Sequence, residues 1–303
     1  MAKLSIVISA YNEQKKIRAC LESAKWADEI IFVDNSSTDK TAKIAKEFTK
    51  KIYTAKNDPK KIDLQKNLGI EKATNDWIFL LDADEVITPE LKEEIKETIE
   101  INNSAVNGYS VPRKNIIFGR WIEYTGWYPD YQLRLFRKGK GKYEETHYHE
   151  PIKVAGNTEK LLSNLEHYNY DSVSQFFYRG LQVYAPNEAE ELLRKGYVFS
   201  YADVIKFPFK EFLSRYFARE GYKDGFHGLV LSLLMAFYHL AVFVYLWEKK
   251  KFIDDDAFGT DKFKNEIKEA GKELVFWINK KKIDEEKDMI KKTFLKLKRK
   301  LQV

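Results

Sequence analysis

Trp77-Ile78-Phe79-Leu80-Leu81-Asp82-Ala83-Asp84-Glu85 is the stretch whose reading decides the fold. Its apolar half reads as a strand buried on both faces, as in parallel sheets. The run ends on two carboxylates one residue apart, which cannot share an apolar core. At the C-terminal edge of a parallel strand they line the crevice where open α/β sheets bind ligands. Asp82 and Asp84 there suit a hard divalent cation that is itself held by phosphates. The alternative is a solvated turn ahead of a helix that Thr88 caps and Pro89 opens.

Outward from this stretch, strand and helix signals alternate. Leu4-Ser5-Ile6-Val7-Ile8-Ser9 reads as a buried strand, broken by Ala10-Tyr11-Asn12-Glu13 before an amphipathic helix carrying Ile17, Cys20, Leu21 and Ala24. Glu29 to Val33 reads as a second strand that runs into the polar cluster Asp34 to Asp39, and a helix follows through Ile44, Ala45 and Phe48. Lys51-Ile52-Tyr53 is a short third strand, and a helix from about 61 to 73 leads to the strand at Trp77. The alternation predicts an α/β fold with a parallel, doubly wound sheet. In that topology Tyr11 to Glu13, Asp34 to Asp39 and Asp82 to Glu85 all fall on one sheet edge. No Gly-x-Gly-x-x-Gly follows the first strand, which argues against a dinucleotide-binding domain.

Four segments, Ser9-Ala10-Tyr11-Asn12-Glu13, Val33-Asp34-Asn35-Ser36-Ser37-Thr38-Asp39, Lys66-Asn67-Leu68-Gly69-Ile70 and Leu81-Asp82-Ala83-Asp84-Glu85, occur in this order. Together they resemble the inverting family 2 glycosyltransferases of the GT-A fold. The resemblance implies a Rossmann-like nucleotide-sugar domain, which the change of composition after about Leu161 bounds at 1–160. It also implies that Ala10, Tyr11 and Glu13 contact the donor nucleoside, that Asp34 reaches the base, and that Asp82, with Ala83 beside it, lies near the ribose. Lys66 joins this donor set through the third segment, and Asp84 would bind the Mg²⁺ or Mn²⁺ ion bridging the diphosphate. The family commonly carries a second Asp where this chain has Asn35; either side chain can hydrogen-bond a ribose or base edge. A uracil N–H suits a carboxylate acceptor, Tyr11 offers a stacking face, and a divalent cation offsets charge on a leaving diphosphate.

The middle of the chain reads as the acceptor side. Gly108 to Arg113 and Gln132 to Arg137 look like strands bracketing an aromatic loop with Trp121, Tyr124, Trp127 and Tyr128. Such rings stack on sugar faces or simply fill a core. The pattern Asp130-x-Gln132-x-Arg134-Leu135-Phe136-Arg137 followed by His149-Glu150 resembles the subgroup that extends lipopolysaccharide inner cores with glucose. Inverting transfer needs one group to take the acceptor hydroxyl's proton. Glu150 is the first candidate, because His149-Glu150 stands where many members carry Glu-Asp, and Asp130 is the second. His149 is a candidate metal ligand completing a site with Asp84. Arg134 and Arg137 are candidates for holding diphosphate or an anionic acceptor, or form an ordinary solvated face.

From Ser174 the periodicity becomes helical, giving a helical C-terminal region over 161–303. Leu229 to Trp247 carries no formal charge and is long enough to span a bilayer, and Glu248-Lys249-Lys250-Lys251 closes it. One crossing would place the Lys-rich tail outside, against the positive-inside tendency. A helix lying in the interface on an anionic membrane surface therefore fits better, with a buried helix or a homo-oligomer interface as the alternatives. The tail beyond it reads as a solvated amphipathic helix anchored by Leu274, Val275, Trp277 and Ile278. The formal net charge of +6 is slight for 303 residues and no recognition motif is present, so nucleic acid is not expected as a partner. A single cysteine excludes a disulfide framework, and Met1-Ala2-Lys3 leads straight into a strand, so no signal peptide is expected. The expectation is a metal-dependent transferase at the cytoplasmic face of a bacterial inner membrane, moving a hexose from a nucleotide sugar to a lipid-linked glycan. Transfer to polyprenyl phosphate or another envelope lipid, and a catalytically silent sugar-nucleotide-binding protein, are the alternatives.

Overall fold

The computed structural model describes residues 2–58, 62–144, 151–254 and 258–301. The chain forms two compact units, Met1–Trp121 with Trp127–Asp171, and Ile122–Gly126 with Ser172–Val303.

The first unit opens with β1 (Leu4–Ala10), α1 (Ile17–Ala24), β2 (Glu29–Asp34), α2 (Thr41–Ala45), β3 (Ile52–Thr54), α3 (Ile62–Lys72) and β4 (Trp77–Asp82). These strands pair in parallel in the order β3-β2-β1-β4. Alternate residues fill two cores, as burial on both faces demands. Ile6, Ile8, Phe32, Trp77, Phe79 and Leu81 pack toward α1, while Val7, Ile31, Ile78 and Leu80 pack on the other face with Ile70 of α3. A Cβ at Gly69 would lie 2.4 Å from Val7 Cγ1, so glycine is what lets α3 approach β1 closely.

β5 (Glu85–Ile87) and α4 (Pro89–Ile101) follow, and Thr88 Oγ1 accepts from Leu91 N at 3.2 Å with Pro89 in the first turn, the expected helix start. β6 (Gly108–Ile117), β7 (Arg120–Trp121), β8 (Asp130–Arg137), β9 (Gly141–Lys142), β10 (Lys153–Val154), β11 (Thr158–Lys160) and β12 (Leu165–Tyr170) complete the unit. The large sheet runs β3-β2-β1-β4-β8-β6-β12-β5, with β8 antiparallel to both β4 and β6. β5 pairs with β12 at the far edge, which sets His167 opposite Glu85. Because β12 lies parallel to β6, the sheet unit continues to Asp171, beyond the 160 suggested by the change of composition.

The second unit is helical: α5 (Val173–Phe177), α6 (Ala185–Arg194), α7 (Asp203–Leu213), α8 (Gly225–Lys249), α9 (Thr260–Glu285) and α10 (Met289–Leu301). Ala185 and Ala189 of α6 pack on Tyr238, Val242 and Leu246 of α8. α8 contains the whole apolar stretch and is long and apolar enough to cross a membrane, with a third of that stretch buried. Its Leu233, Phe237 and Val244 are exposed. The tail is two helices rather than one, and Trp277 of α9 stacks on Phe217 at 6.3 Å while Val275 and Ile278 stay exposed.

Residues 122–126 belong with these helices. Asp224, itself buried, accepts from Glu123 N at 3.2 Å and Tyr124 N at 2.9 Å. Arg215 Nη1 donates to Thr125 O at 2.8 Å and Thr125 N donates to Arg219 O at 3.1 Å. A Cβ at Gly221 would lie 2.4 Å from Thr125 Cγ2, so the segment is seated against a glycine that leaves room for it.

Candidate active site

The strand register assembles the site. Ala10 pairs with Asp34 and Ser9 with Asp82, so three consecutive strands of the parallel run end side by side. Beyond β1, Asn12 adopts φ 56°, which Asn tolerates better than most residues, and its Oδ1 accepts from Thr38 N at 2.8 Å. Glu13 N donates to Thr41 Oγ1 at 2.8 Å, and Ser37 N donates to Asp34 Oδ1 at 3.1 Å. The Asn12 and Glu13 bonds tie the loop after β1 to the segment after β2, and the Ser37 bond closes that segment onto Asp34. Between them Tyr11 is 42% exposed. Asn35 is buried; its Nδ2 donates to Ser9 Oγ at 2.9 Å, while its Oδ1 has no hydrogen-bond partner among the described residues. An unmet buried acceptor of this kind costs about 1–3 kcal/mol, which a ligand N–H or O–H would recover.

A network of charges lies beneath the acidic turn. Lys66 Nζ, buried, meets Asp82 Oδ1 at 2.6 Å and Asp63 Oδ1 at 3.0 Å. Arg134, also buried, bridges Asp82 Oδ2 and Glu85 Oε1 at 2.5 Å each. Glu85 is wholly buried and its second oxygen accepts from Asp82 N at 2.9 Å. Burial alone would raise the Asp82 carboxyl, but the charges of Arg134 and Lys66 outweigh it and hold the group well below the usual carboxylate range. Burial likewise works against the Lys66 ammonium, and Asp82, Tyr143 and Asp63 overcome it and raise its pKa. Asn67 fixes this helix laterally: its Nδ2 donates to Tyr143 O and its Oδ1 accepts from Tyr143 N, both at 2.9 Å.

Asp84 stands at the tip of the turn with its Oδ2 3.6 Å from His167 Nε2. The other ring nitrogen, Nδ1, lies 2.7 Å from Asn115 Oδ1. Asn115 is wholly buried, and its Nδ2 donates to Trp127 O at 2.7 Å and to Asp130 Oδ2 at 3.3 Å. Asp130 opens β8, where Arg113 Nε donates to it at 2.8 Å and Gln132 Nε2 at 2.8 Å. Burial pushes the Asp130 carboxyl up, while Arg113 and the amides of Gln132 and Asn115 pull it down further, leaving it below its ordinary value. One buried amide thus links the acidic turn, the aromatic loop and Asp130.

A divalent cation fits this donor set. Asp84 offers a carboxylate, and because Asn115 Oδ1 can only accept, it assigns the proton of His167 to Nδ1 and leaves Nε2 as a lone-pair donor. Among the described residues no three His, Cys, Asp or Glu side chains converge. Mg²⁺ or Mn²⁺ would need only one or two such protein ligands, the rest of the shell coming from phosphate and water.

The family model for glycosyl transferase family 2 matches residues 5–157, which covers both donor loops, the acidic turn and β8. The chain belongs to this family. This family 2 glycosyltransferase is 28% identical over 257 residues to an uncharacterised glycosyltransferase of Rickettsia typhi, covering 78% of this chain and 84% of the relative. It is 26% identical over 240 residues to LpsC of Rhizobium meliloti, a lipopolysaccharide core biosynthesis glycosyltransferase, covering 78% and 88%. Among solved structures it is similar to residues 1–349 of TarS from S. aureus (TM-score 0.40, 14% identity, 83% and 92% covered). A second is glucosyl-3-phosphoglycerate synthase of Mycobacterium tuberculosis with Mn²⁺ and UDP-glucose (TM-score 0.32, 18% identity, 37% and 44% covered).

In this glycosyltransferase Ala10, Tyr11, Glu13, Asp34, Asn35, Lys66, Asp82, Ala83 and Asp84 do gather at one sheet edge. Lys66 and Arg134 face carboxylates: Arg134, a candidate for diphosphate or acceptor or for a solvated face, is buried and pairs with Asp82 and Glu85 beneath the acidic turn. Arg137 lies elsewhere: β8 runs antiparallel to β4 and pairs Arg137 with Trp77, at the opposite edge from Asp82. There its guanidinium lies 4.3 Å from the Trp77 ring centroid and donates to Val106 O, Asn103 O and Asn102 Oδ1 at the end of α4. Trp127 stands with its ring edge-on to Tyr170 at 6.3 Å, a packing contact, and its carbonyl is the group that Asn115 holds. His149 and Glu150 lie outside the described residues. The sequence reading missed His167 and Asn115. His167-Tyr168-Asn169-Tyr170 carries no spacing signal toward Asp84, and only the β12–β5 pairing at the far edge of the sheet brings them together.

Proposed function

We propose that this family 2 enzyme transfers a hexose, with inversion and with a divalent cation, from a nucleotide sugar to a lipid-linked glycan. We take the donor as a UDP-sugar, the acceptor as a lipopolysaccharide core, and the site as the cytoplasmic face of a bacterial inner membrane. The observation that carries the donor side is the register that ends β1, β2 and β4 together, with Asp34, the unmet Asn35 Oδ1 and Asp84 on one edge. The LpsC relationship supports the acceptor class. The exposed apolar side chains of α8 support contact with a membrane.

In this reading Tyr11 stacks on the base, and Asp34 and Asn35 accept its N–H or a ribose hydroxyl. Asp84, with His167 beside it, would hold Mg²⁺ or Mn²⁺, which would supply Lewis-acid stabilisation to a departing diphosphate. Lys66 and Arg134 keep Asp82 ionised and fixed. The acceptor oxygen attacks the anomeric carbon as the bond to the diphosphate breaks, and the hydroxyl proton passes to a carboxylate. Asp130 is a poor proton acceptor because Arg113, Gln132 and Asn115 already stabilise its charge. Glu150 is therefore the proposed base.

The test is a panel of purified sugar nucleotides incubated with the protein with and without Mn²⁺, read as nucleoside diphosphate release and as transfer to extracted envelope lipids. Metal-dependent release from one donor, increased by acceptor lipid, is expected. Failure of every sugar nucleotide to bind in calorimetry would overturn the reading.

A further inference from the structure

The chain carries 52 Lys and Arg against 46 Asp and Glu. Met289–Leu301 alone contains six Lys and Arg and no acid, so the other residues hold 46 charges of each sign. The whole net charge of +6 therefore equals what one terminal helix carries. Asp288 caps that helix, its Oδ1 accepting from Ile290 N at 2.8 Å and Lys291 N at 3.1 Å, so the segment has a defined start. Met289, Ile290 and Phe294 are 75%, 83% and 65% exposed. At about 100° per residue these positions share an arc of about 140°, with Lys291 and Lys292 in the remainder. Large apolar side chains left in water on one arc, with Lys291 and Lys292 off it, describe a helix made to lie in a membrane interface. α9 differs: its Phe263, Ile267, Val275 and Phe276 are also exposed, but Lys and acidic residues alternate along it.

We propose that α10 is an electrostatic anchor that selects anionic lipid. Its apolar arc enters the headgroup boundary and its cations pair with lipid phosphates and other anionic headgroups. α8, with almost no charge on its exposed face, supplies lipid contact without charge preference. A nucleic acid would satisfy the cations but leave Ile290 and Phe294 in water, so the lipid surface is the better match. The proposal rests on the membrane reading above and adds which element reads lipid charge.

The test is flotation of the full-length protein with vesicles of pure phosphatidylcholine and with vesicles holding about a third phosphatidylglycerol. With cations contributing roughly a tenfold factor for each one or two engaged near the surface, binding should be at least about tenfold stronger to the anionic vesicles and fall with added salt. K291E/K292E takes the helix from six cations to a net charge of two and should cut the preference at least about tenfold while leaving the weaker binding to neutral vesicles. I290S/F294S should weaken binding to anionic vesicles without changing thermal unfolding, because neither side chain is packed. Equal binding of wild type to both vesicles, or a charge preference unchanged in K291E/K292E, would overturn the assignment to α10 while leaving membrane contact standing. No binding to either vesicle would overturn both. Retention on duplex DNA with no vesicle preference would place the partner among nucleic acids and overturn it as well.

Discussion

His167 and Asn115 face each other in register on neighbouring parallel strands, with Nδ1 of the imidazole 2.7 Å from the amide oxygen. The amide oxygen accepts only, so the ring proton sits on Nδ1 and Nε2 is presented toward Asp84. Removing that orientation should loosen any metal bound beside Asp84. Asn115→Leu is expected to raise the Mn²⁺ concentration for half-activation about 10–100-fold. A Mn²⁺ titration followed by paramagnetic resonance and by activity checks it. An unchanged metal requirement would show that the amide serves only packing.

Asp84→Asn keeps the side-chain volume and one oxygen acceptor beside His167, so thermal unfolding should change little while turnover falls by about two orders of magnitude or more. For proton removal, Glu150→Gln should collapse kcat with donor affinity nearly unchanged. Asp130→Asn should act more mildly on kcat, since that carboxylate already serves as a hydrogen-bond anchor for Arg113 and Gln132. Steady-state kinetics that rank the two in reverse would move the role to Asp130.

Arg134 neutralises two carboxylates at once, one of them wholly buried. Arg134→Met would leave Glu85 buried without its main counter-charge, a type of loss that costs about 3–5 kcal/mol. Urea unfolding should show that decrease, and adding Glu85→Gln should recover part of it. Additive losses in the double variant would mean that the two side chains act independently.

Local signals carried the parallel half of the fold. Continuous apolar runs such as Trp77 to Leu81 announce strands covered on both faces, and polar residues at their ends mark the ligand edge. Gly69 is legible as part of one of the four segments that carry the resemblance, and the close approach to Val7 shows what it is for. The antiparallel half was less legible, because pairing between residues far apart in sequence leaves no periodic trace. Arg134 and Arg137 look equivalent in sequence, yet the antiparallel register of β8 sends one under the acidic turn and the other to the opposite edge. His167 enters the site only through β12 crossing to β5. The seating of 122–126 among the helices had no sequence signal either, since Asp224 is about a hundred residues away.

Acid stability should depend on Glu29, which lies where β2 begins, away from the site. Its carboxylate accepts from Ser5 Oγ, from Thr74 N and Oγ1, and from Lys51 Nζ. Burial raises its pKa, but these donors together lower it from 4.5 to about 2. A carboxyl lowered in the folded state binds its proton more readily when unfolded. Its contribution is therefore complete above the unfolded value and is lost as pH falls from about 4.5 toward about 2. Glu29→Gln should destabilise the protein at neutral pH and flatten the fall in stability across that window. Denaturant midpoints measured at a series of pH values decide it, and a slope equal to wild type would assign the acid sensitivity to other groups.

Asp224 anchors the segment that leads into the aromatic loop. Its two oxygens satisfy the backbone N–H groups of Glu123 and Tyr124, and the segment they hold continues directly into Trp127 and Asp130. Asp224→Ala leaves both donors without an acceptor, at about 1–3 kcal/mol for each group that stays buried, so a clear drop in thermal stability is expected. Asp224→Asn keeps one acceptor oxygen and should fall between the alanine variant and wild type. Donor hydrolysis should persist in both, because Asp34, Asp82 and Asp84 stand on other strands. Transfer should suffer instead: freeing 122–126 unsettles the backbone entering the aromatic loop, so the KM for the acceptor should rise more than kcat falls. Asn115 still holds the Trp127 carbonyl, which limits the damage to the upstream half of the loop. If the stability loss appears with acceptor KM unchanged, the anchoring of this segment serves the fold and not the acceptor.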